Sequence, residues 1–72
     1  MKHSTIKKKL ARMDRDAATY LFRYGTITSD YRWSPNSAPV ESNYRATRID
    51  YNGIEYSLEF KDGELSCVGW NT

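Results

Sequence analysis

The sequence contains one cysteine, Cys67, and one histidine, His3, among its 72 residues. A single thiol cannot form an intrachain disulfide, so the cross-linked framework of small secreted domains is excluded and a reducing cytoplasm is the expected home. One Cys and one His at opposite ends of the chain fall short of the ligand set of a zinc site, and neither a metal nor a cofactor is expected. The glycines at 25, 53, 63 and 69 form no Gly-rich loop opening a helix, which removes the usual phosphate cradle. No apolar run approaches the roughly 18 residues that a membrane-spanning helix needs. The basic stretch near the N-terminus is followed by no apolar segment of the signal-peptide type, and no Asn-x-Ser/Thr sequon occurs.

The chain is nevertheless built to fold. Its 39% hydrophobic and 28% charged residues fall in the globular range. Six Tyr, two Trp and two Phe bring large apolar areas into a chain whose length permits only one small core. A single domain over residues 1–72 is expected, of α+β class: an N-terminal amphipathic helix packed on a three- to four-stranded antiparallel β-meander.

Between residues 4 and 24 the apolar side chains fall at Ile6, Leu10, Met13, Ala17, Tyr20, Leu21 and Tyr24, the spacing of one continuous helical stripe. Ser4 or Thr5 is the expected N-cap and Gly25 the left-handed residue that ends the helix. Further on, Ile54, Tyr56, Leu58 and Phe60 alternate with polar residues, the pattern of a half-buried strand. Asn52-Gly53 and Asp62-Gly63 flank it and suit two-residue type I′ turns, so a meander over about 43–70 is predicted. Such turns set the register. The first pairs Ile49 with Tyr56 and Thr47 with Leu58. An uninterrupted second ladder pairs Phe60 with Leu65, Leu58 with Cys67 and Tyr56 with Gly69. Cys67 then belongs to the core, while Val68 and Trp70 join Tyr44 and Arg48 on the outer face, and Gly69 permits a close approach to the last strand. Thr26 to Trp33 alternate as a fourth strand or a lid, and 34–39, with two prolines, read as a loop.

Candidate chemistry is sparse. Asp50 and Glu55 should face each other across the first hairpin, but a solvated sheet face offers no cleft to tune a pair of carboxylates. Cys67 reads as a small core residue and His3 as a solvated one. Two surfaces remain. Trp33, Tyr44, Arg48 and Trp70 on the outer face are candidate anchors for a larger protein or protein complex, since Trp, Tyr and Arg dominate interface hot spots. Lys8, Arg12, Arg15 and Arg23, with Lys7 and Lys9 nearby, form a basic helix face that could contact phosphates. The expectation is a non-enzymatic interaction module, comparable in size to the inhibitors and accessory proteins of phages and mobile elements, with nucleic-acid binding through the basic helix face as the alternative. A homodimer through a sheet edge or the outer face is also open.

Overall fold

In the computed structural model, which describes residues 1–34 and 43–71, two helices pack on one face of a four-stranded antiparallel sheet. The helices are α1 (His3–Ala11) and α2 (Arg15–Tyr24). The strands are β1 (Thr26–Trp33), β2 (Tyr44–Tyr51), β3 (Ile54–Lys61) and β4 (Glu64–Asn71), paired in the order β1-β2-β3-β4. The α+β meander is therefore as expected, with β1 a true fourth strand rather than a lid. Beyond Ser34, the loop expected over 34–39 falls outside the described residues.

The single helix over 4–24 is corrected to two. Met13 adopts a left-handed φ of 56°, and the N–H groups of Arg12, Met13 and Asp14 turn back to carbonyls of Lys9 and Leu10. Asp14 then caps α2, its carboxylate accepting from the Asp16 N–H at 2.9 Å. The three-and-four spacing runs through this break, so it carries no sign in the periodicity. Ile6, Leu10, Ala17 and Leu21 are buried as the stripe implies, whereas Met13 is 42% exposed at the corner. The expected N-cap does not hold, and Gly25 ends α2 as expected but not in the expected left-handed conformation. Lys2 occupies the N-cap of α1, so Ser4 and Thr5 lie within the helix. Gly25 is extended, at φ −88° and ψ 177°, so left-handed geometry is not what requires glycine there.

Both hairpin turns have positive φ at both residues, 48° and 82° at Asn52-Gly53 and 52° and 81° at Asp62-Gly63. The β2–β3 register is the expected one, with Ile49 opposite Tyr56 and Thr47 opposite Leu58. The β3–β4 ladder begins as predicted, Phe60 opposite Leu65, then shifts by one residue so that Glu59 faces Cys67, Leu58 faces Val68 and Tyr56 faces Trp70. The Ser66 hydroxyl donates to the Glu59 carbonyl at 3.3 Å beside this irregularity. One extra residue moves everything beyond it to the other face. Cys67 is accordingly exposed on the outer face, and Val68 packs against the core. Trp70 lies on the helix-bearing face with Tyr56. The shift turns Val68, which packs against the core, and Trp70, which stays 39% exposed, toward the helix side in place of Cys67 and Gly69. A Cβ placed on Gly69 meets no atom within 4 Å, so the expected close approach there is absent.

A second shift, between Ile27 and Ser29, places Ile27 opposite Ile49 on the helix face and sends Ser29, Tyr31 and Trp33 outward. The core comprises Ile6, Leu10, Ala17, Ala18, Leu21, Ile49, Tyr56 and Leu58, with Tyr20, Phe22, Tyr51, Ile54, Phe60, Leu65 and Val68 around it.

His3 is not a solvated residue. Its Nε2 lies 3.2 Å from the Asn52 carbonyl, which can only accept, so in the neutral imidazole Nε2 carries the proton and Nδ1 accepts from the Tyr56 hydroxyl. The imidazole also stacks on Tyr56, with centroids 5.9 Å apart. One side chain thus ties the start of α1 to β3 and to the first turn.

Candidate interaction surface

Both helices lie on one side of the sheet, so the other side has no layer over it among the described residues. Antiparallel pairing aligns its side chains in rows. Tyr31 stands beside Ala46, and Trp33 beside Tyr44. The Trp33 and Tyr44 rings stack with centroids 5.4 Å apart and planes at 11°, and Tyr31 adds to Trp33 at 5.5 Å. Tyr31 is 64% exposed. The Lys61 ammonium lies 6.0 Å from the Tyr44 ring, at the limit of a cation–π contact. Next to this aromatic corner the face dips over Ser29, Ala46, Ser57, Cys67 and Gly69, a shallow hollow of about 360 Å³. Arg48 approaches Glu55 at 3.9 Å; Arg48 is well exposed and Glu55 partly so, and the contact is long, so the pair contributes little to stability.

Around the end of the sheet, α2 and the β1–β2 pair enclose a larger groove of about 770 Å³. Arg15 from the first turn of α2, Arg32 from β1 and Arg45 from β2 line it, with Phe22 and Phe60 at its apolar side and Trp33 and Tyr44 shared with the aromatic corner. Arg45 is held firmly. Its Nε and a terminal nitrogen donate to the two oxygens of Asp30 at 2.8 and 2.9 Å, and its guanidinium lies 4.9 Å from the Phe22 ring centroid. Thr47, buried, adds a hydroxyl donor to Asp30 at 3.2 Å.

The hydrogen bond from Arg45 holds the Asp30 carboxyl below its ordinary value of 3.8, partly offset by desolvation and aided by Thr47. A lowered folded-state pKa contributes stability above the ordinary value, which is lost as pH falls through the lowered one. Urea unfolding below pH ~3.8 should therefore show a falling midpoint whose slope is reduced by Asp30→Asn. The effect should be modest, because the carboxylate is 33% exposed and water screens the pair.

Of the four expected protein-contacting residues, the structure brings Trp33, Tyr44 and Arg48 onto one face and places Trp70 on the opposite one. Tyr31 completes the aromatic corner. The basic residues also divide. Lys8, Arg12 and Arg23 are exposed on the helical layer, while Arg15 enters the groove. Asp50 and Glu55 face each other as expected, on the open outer face. Arg32, Arg45, Phe22 and Phe60 were not singled out in the sequence. The sign that could have found the two arginines is a charged residue every second position on an inner strand face, Asp30 and Arg32 opposite Thr47 and Arg45.

Among the described residues no three His, Cys, Asp or Glu side chains gather as a metal site, and no helix is long and apolar enough to cross a membrane. The charges are sorted by layer. Residues 1–25 hold seven Lys/Arg and two Asp/Glu, residues 26–72 four and seven. The outer face itself carries Asp50, Glu55 and Glu59 against Arg48 and Lys61.

The fold and surface thus define a two-layer α+β protein with a basic helical side and an open sheet face bordered by stacked aromatics. Comparison with protein-family models, curated proteins and solved structures finds no match to this chain.

Proposed function

We propose that the protein is a small non-enzymatic interaction module that docks on a larger protein through its open sheet face, with Tyr31, Trp33 and Tyr44 as anchors. The observation that carries this reading is the stacked aromatic corner on a face that no helix covers among the described residues. Rings already ordered by mutual stacking lose little side-chain entropy on binding and desolvate a large area, which is why Tyr and Trp dominate hot spots. The face is also mixed in charge and slightly acidic, which suits a protein better than a polyanion. The same features argue against catalysis. Asp50 and Glu55 lie on an open surface with no cleft around them among the described residues, and Cys67 is on the outer face while His3 is engaged with Tyr56 and Asn52.

The test is affinity capture from cells that naturally contain the protein, comparing wild type with Tyr31→Ala, Trp33→Ala and Trp70→Ala. A specific protein should be retained by wild type and by Trp70→Ala, lost with Tyr31→Ala and Trp33→Ala, and little affected by moderate salt. Capture that depends on Trp70 alone would remove the outer face from the interaction.

The alternative, nucleic-acid binding by the helical layer, has one observation in its favour: Lys8, Arg12 and Arg23 are exposed and make no ion pair among the described residues. Binding of that kind should collapse between low and moderate salt and weaken with Arg12→Ala.

A further inference from the structure

We infer that the groove between α2 and the β1–β2 end of the sheet receives an acidic segment of the partner protein that carries an apolar or aromatic side chain. This rests on the protein-interaction reading and adds the chemistry of the occupant. Three guanidinium groups, of Arg15, Arg32 and Arg45, line the groove, and no Asp or Glu appears among the described lining residues. Asp30 neutralises Arg45, whereas Arg15 and Arg32 make no ion pair among the described residues. The groove thus presents two forks of donors that are unpaired among the described residues, suited to bidentate capture of carboxylates. Between them Phe22, Phe60 and Ala18 offer an apolar wall, and about 770 Å³ lies within the range of sites that hold a small ligand or a few side chains.

Carboxylates flanking an apolar anchor complement that arrangement. A single-stranded nucleic acid complements it less well, because the positive region is bounded. A polyanion leaving the groove past Trp33 and Tyr44 would meet Lys61 beside Tyr44 but then run onto a face where Asp50, Glu55, Glu59 and Glu64 outnumber Arg48 and Lys61, whereas phosphate tracks require cations along their length. Lys8, Arg12 and Arg23 lie outside the groove lining.

The probe is a random-peptide display library selected on the immobilised full chain, with recovered peptides titrated against wild type, the double variant Arg15→Ser/Arg32→Ser and Tyr31→Ala. Arg45 is left intact because it packs on Phe22 and pairs with Asp30, and circular dichroism confirms that each variant folds. Selected peptides should be rich in Asp and Glu around a Trp, Phe or Leu, and should bind the double variant about tenfold or more weakly, the loss of two charge-assisted contacts. Amide shifts in the NMR spectrum should map to Arg15, Phe22 and Phe60. Peptides without acidic enrichment, or with equal affinity for the double variant, would overturn the inference. So would an oligothymidylate that displaces them through Arg15 and Arg32. Native-partner capture lost with Tyr31→Ala but unchanged in the double variant would also end the groove proposal while leaving the protein-interaction reading intact.

Discussion

Replacing Gly25 with alanine should destabilise the protein by about 3 kcal/mol, the upper part of the usual range for forcing atoms into a filled site. The backbone at Gly25 is extended, at φ −88° and ψ 177°, so alanine can adopt it without strain. The obstacle is space. An added Cβ would lie 2.3 Å from the Ile49 Cγ2 methyl, 2.7 Å from the Leu21 carbonyl oxygen and 3.1 Å from the Asp50 carbonyl oxygen. Ile49 is fully buried, and the Leu21 carbonyl accepts the Gly25 N–H at 2.8 Å, so neither can yield without opening the core or the end of α2. Gly25 is where α2 passes directly into β1 and the chain presses against β2. A core of this size supports only about 3–5 kcal/mol of net stability, so the variant should keep only about 0–2 kcal/mol, with a much lower urea midpoint and a measurable unfolded fraction. The comparison is Gly69→Ala, which meets nothing within 4 Å and should leave the urea midpoint almost unchanged. Equal midpoints for Gly25→Ala and wild type would show that this junction is not close-packed.

The second large effect concerns Tyr56. Truncation to alanine removes a fully buried ring from the middle of the core and should cost about 3–5 kcal/mol, as for other buried aromatics. Tyr56→Phe keeps the ring and loses only the hydrogen bond to His3, for which about 1 kcal/mol is expected. Burial pushes the Tyr56 phenol above its ordinary pKa, so the hydroxyl keeps its proton and remains the donor to Nδ1. His3→Ala is then the more costly removal, about 1–3 kcal/mol, because it strands that hydroxyl inside the protein. In the double variant His3→Ala/Tyr56→Phe the stranded group is gone, so the combined loss should be smaller than the sum of the two single losses. Additive losses in thermal or urea unfolding would mean that the two side chains do not share a hydrogen bond.

Both sites show where a reading along the chain stops short. Gly25 was legible as a boundary, since a glycine follows an apolar helical stripe. Its role was not, because the atoms that exclude a side chain belong to Ile49, Asp50 and Leu21, brought together only when β2 docks beside the junction. His3 reads as a solvated residue near a basic stretch, and nothing local announces that its partners stand some fifty positions away at Asn52 and Tyr56.

The hairpins separate the two kinds of information most clearly. Asn-Gly and Asp-Gly select turns with positive φ from local sterics, and a two-residue turn dictates the pairing next to it. The turns and the whole β2–β3 register were therefore readable. The β3–β4 register was readable only as far as Phe60 and Leu65. Beyond that, a bulge depends on which set of β4 side chains the helices can cover. The shift turns Val68 onto the core in place of Cys67 and carries Trp70, still 39% exposed, to the same face. That single shift moved Trp70 away from Trp33 and Tyr44 and left Cys67 exposed, and so redrew the candidate interaction surface.

The sequence by itself determined the α+β class, the extent of β2, β3 and β4 and the two turns, because these follow from periodicity and backbone preference within a few residues. Only the tertiary structure decided the break at Met13, the faces of β1 and β4, and the meeting of Arg15, Arg32 and Arg45 in one groove. Each of those depends on competition between distant side chains for the same buried or desolvated space, which no local pattern records.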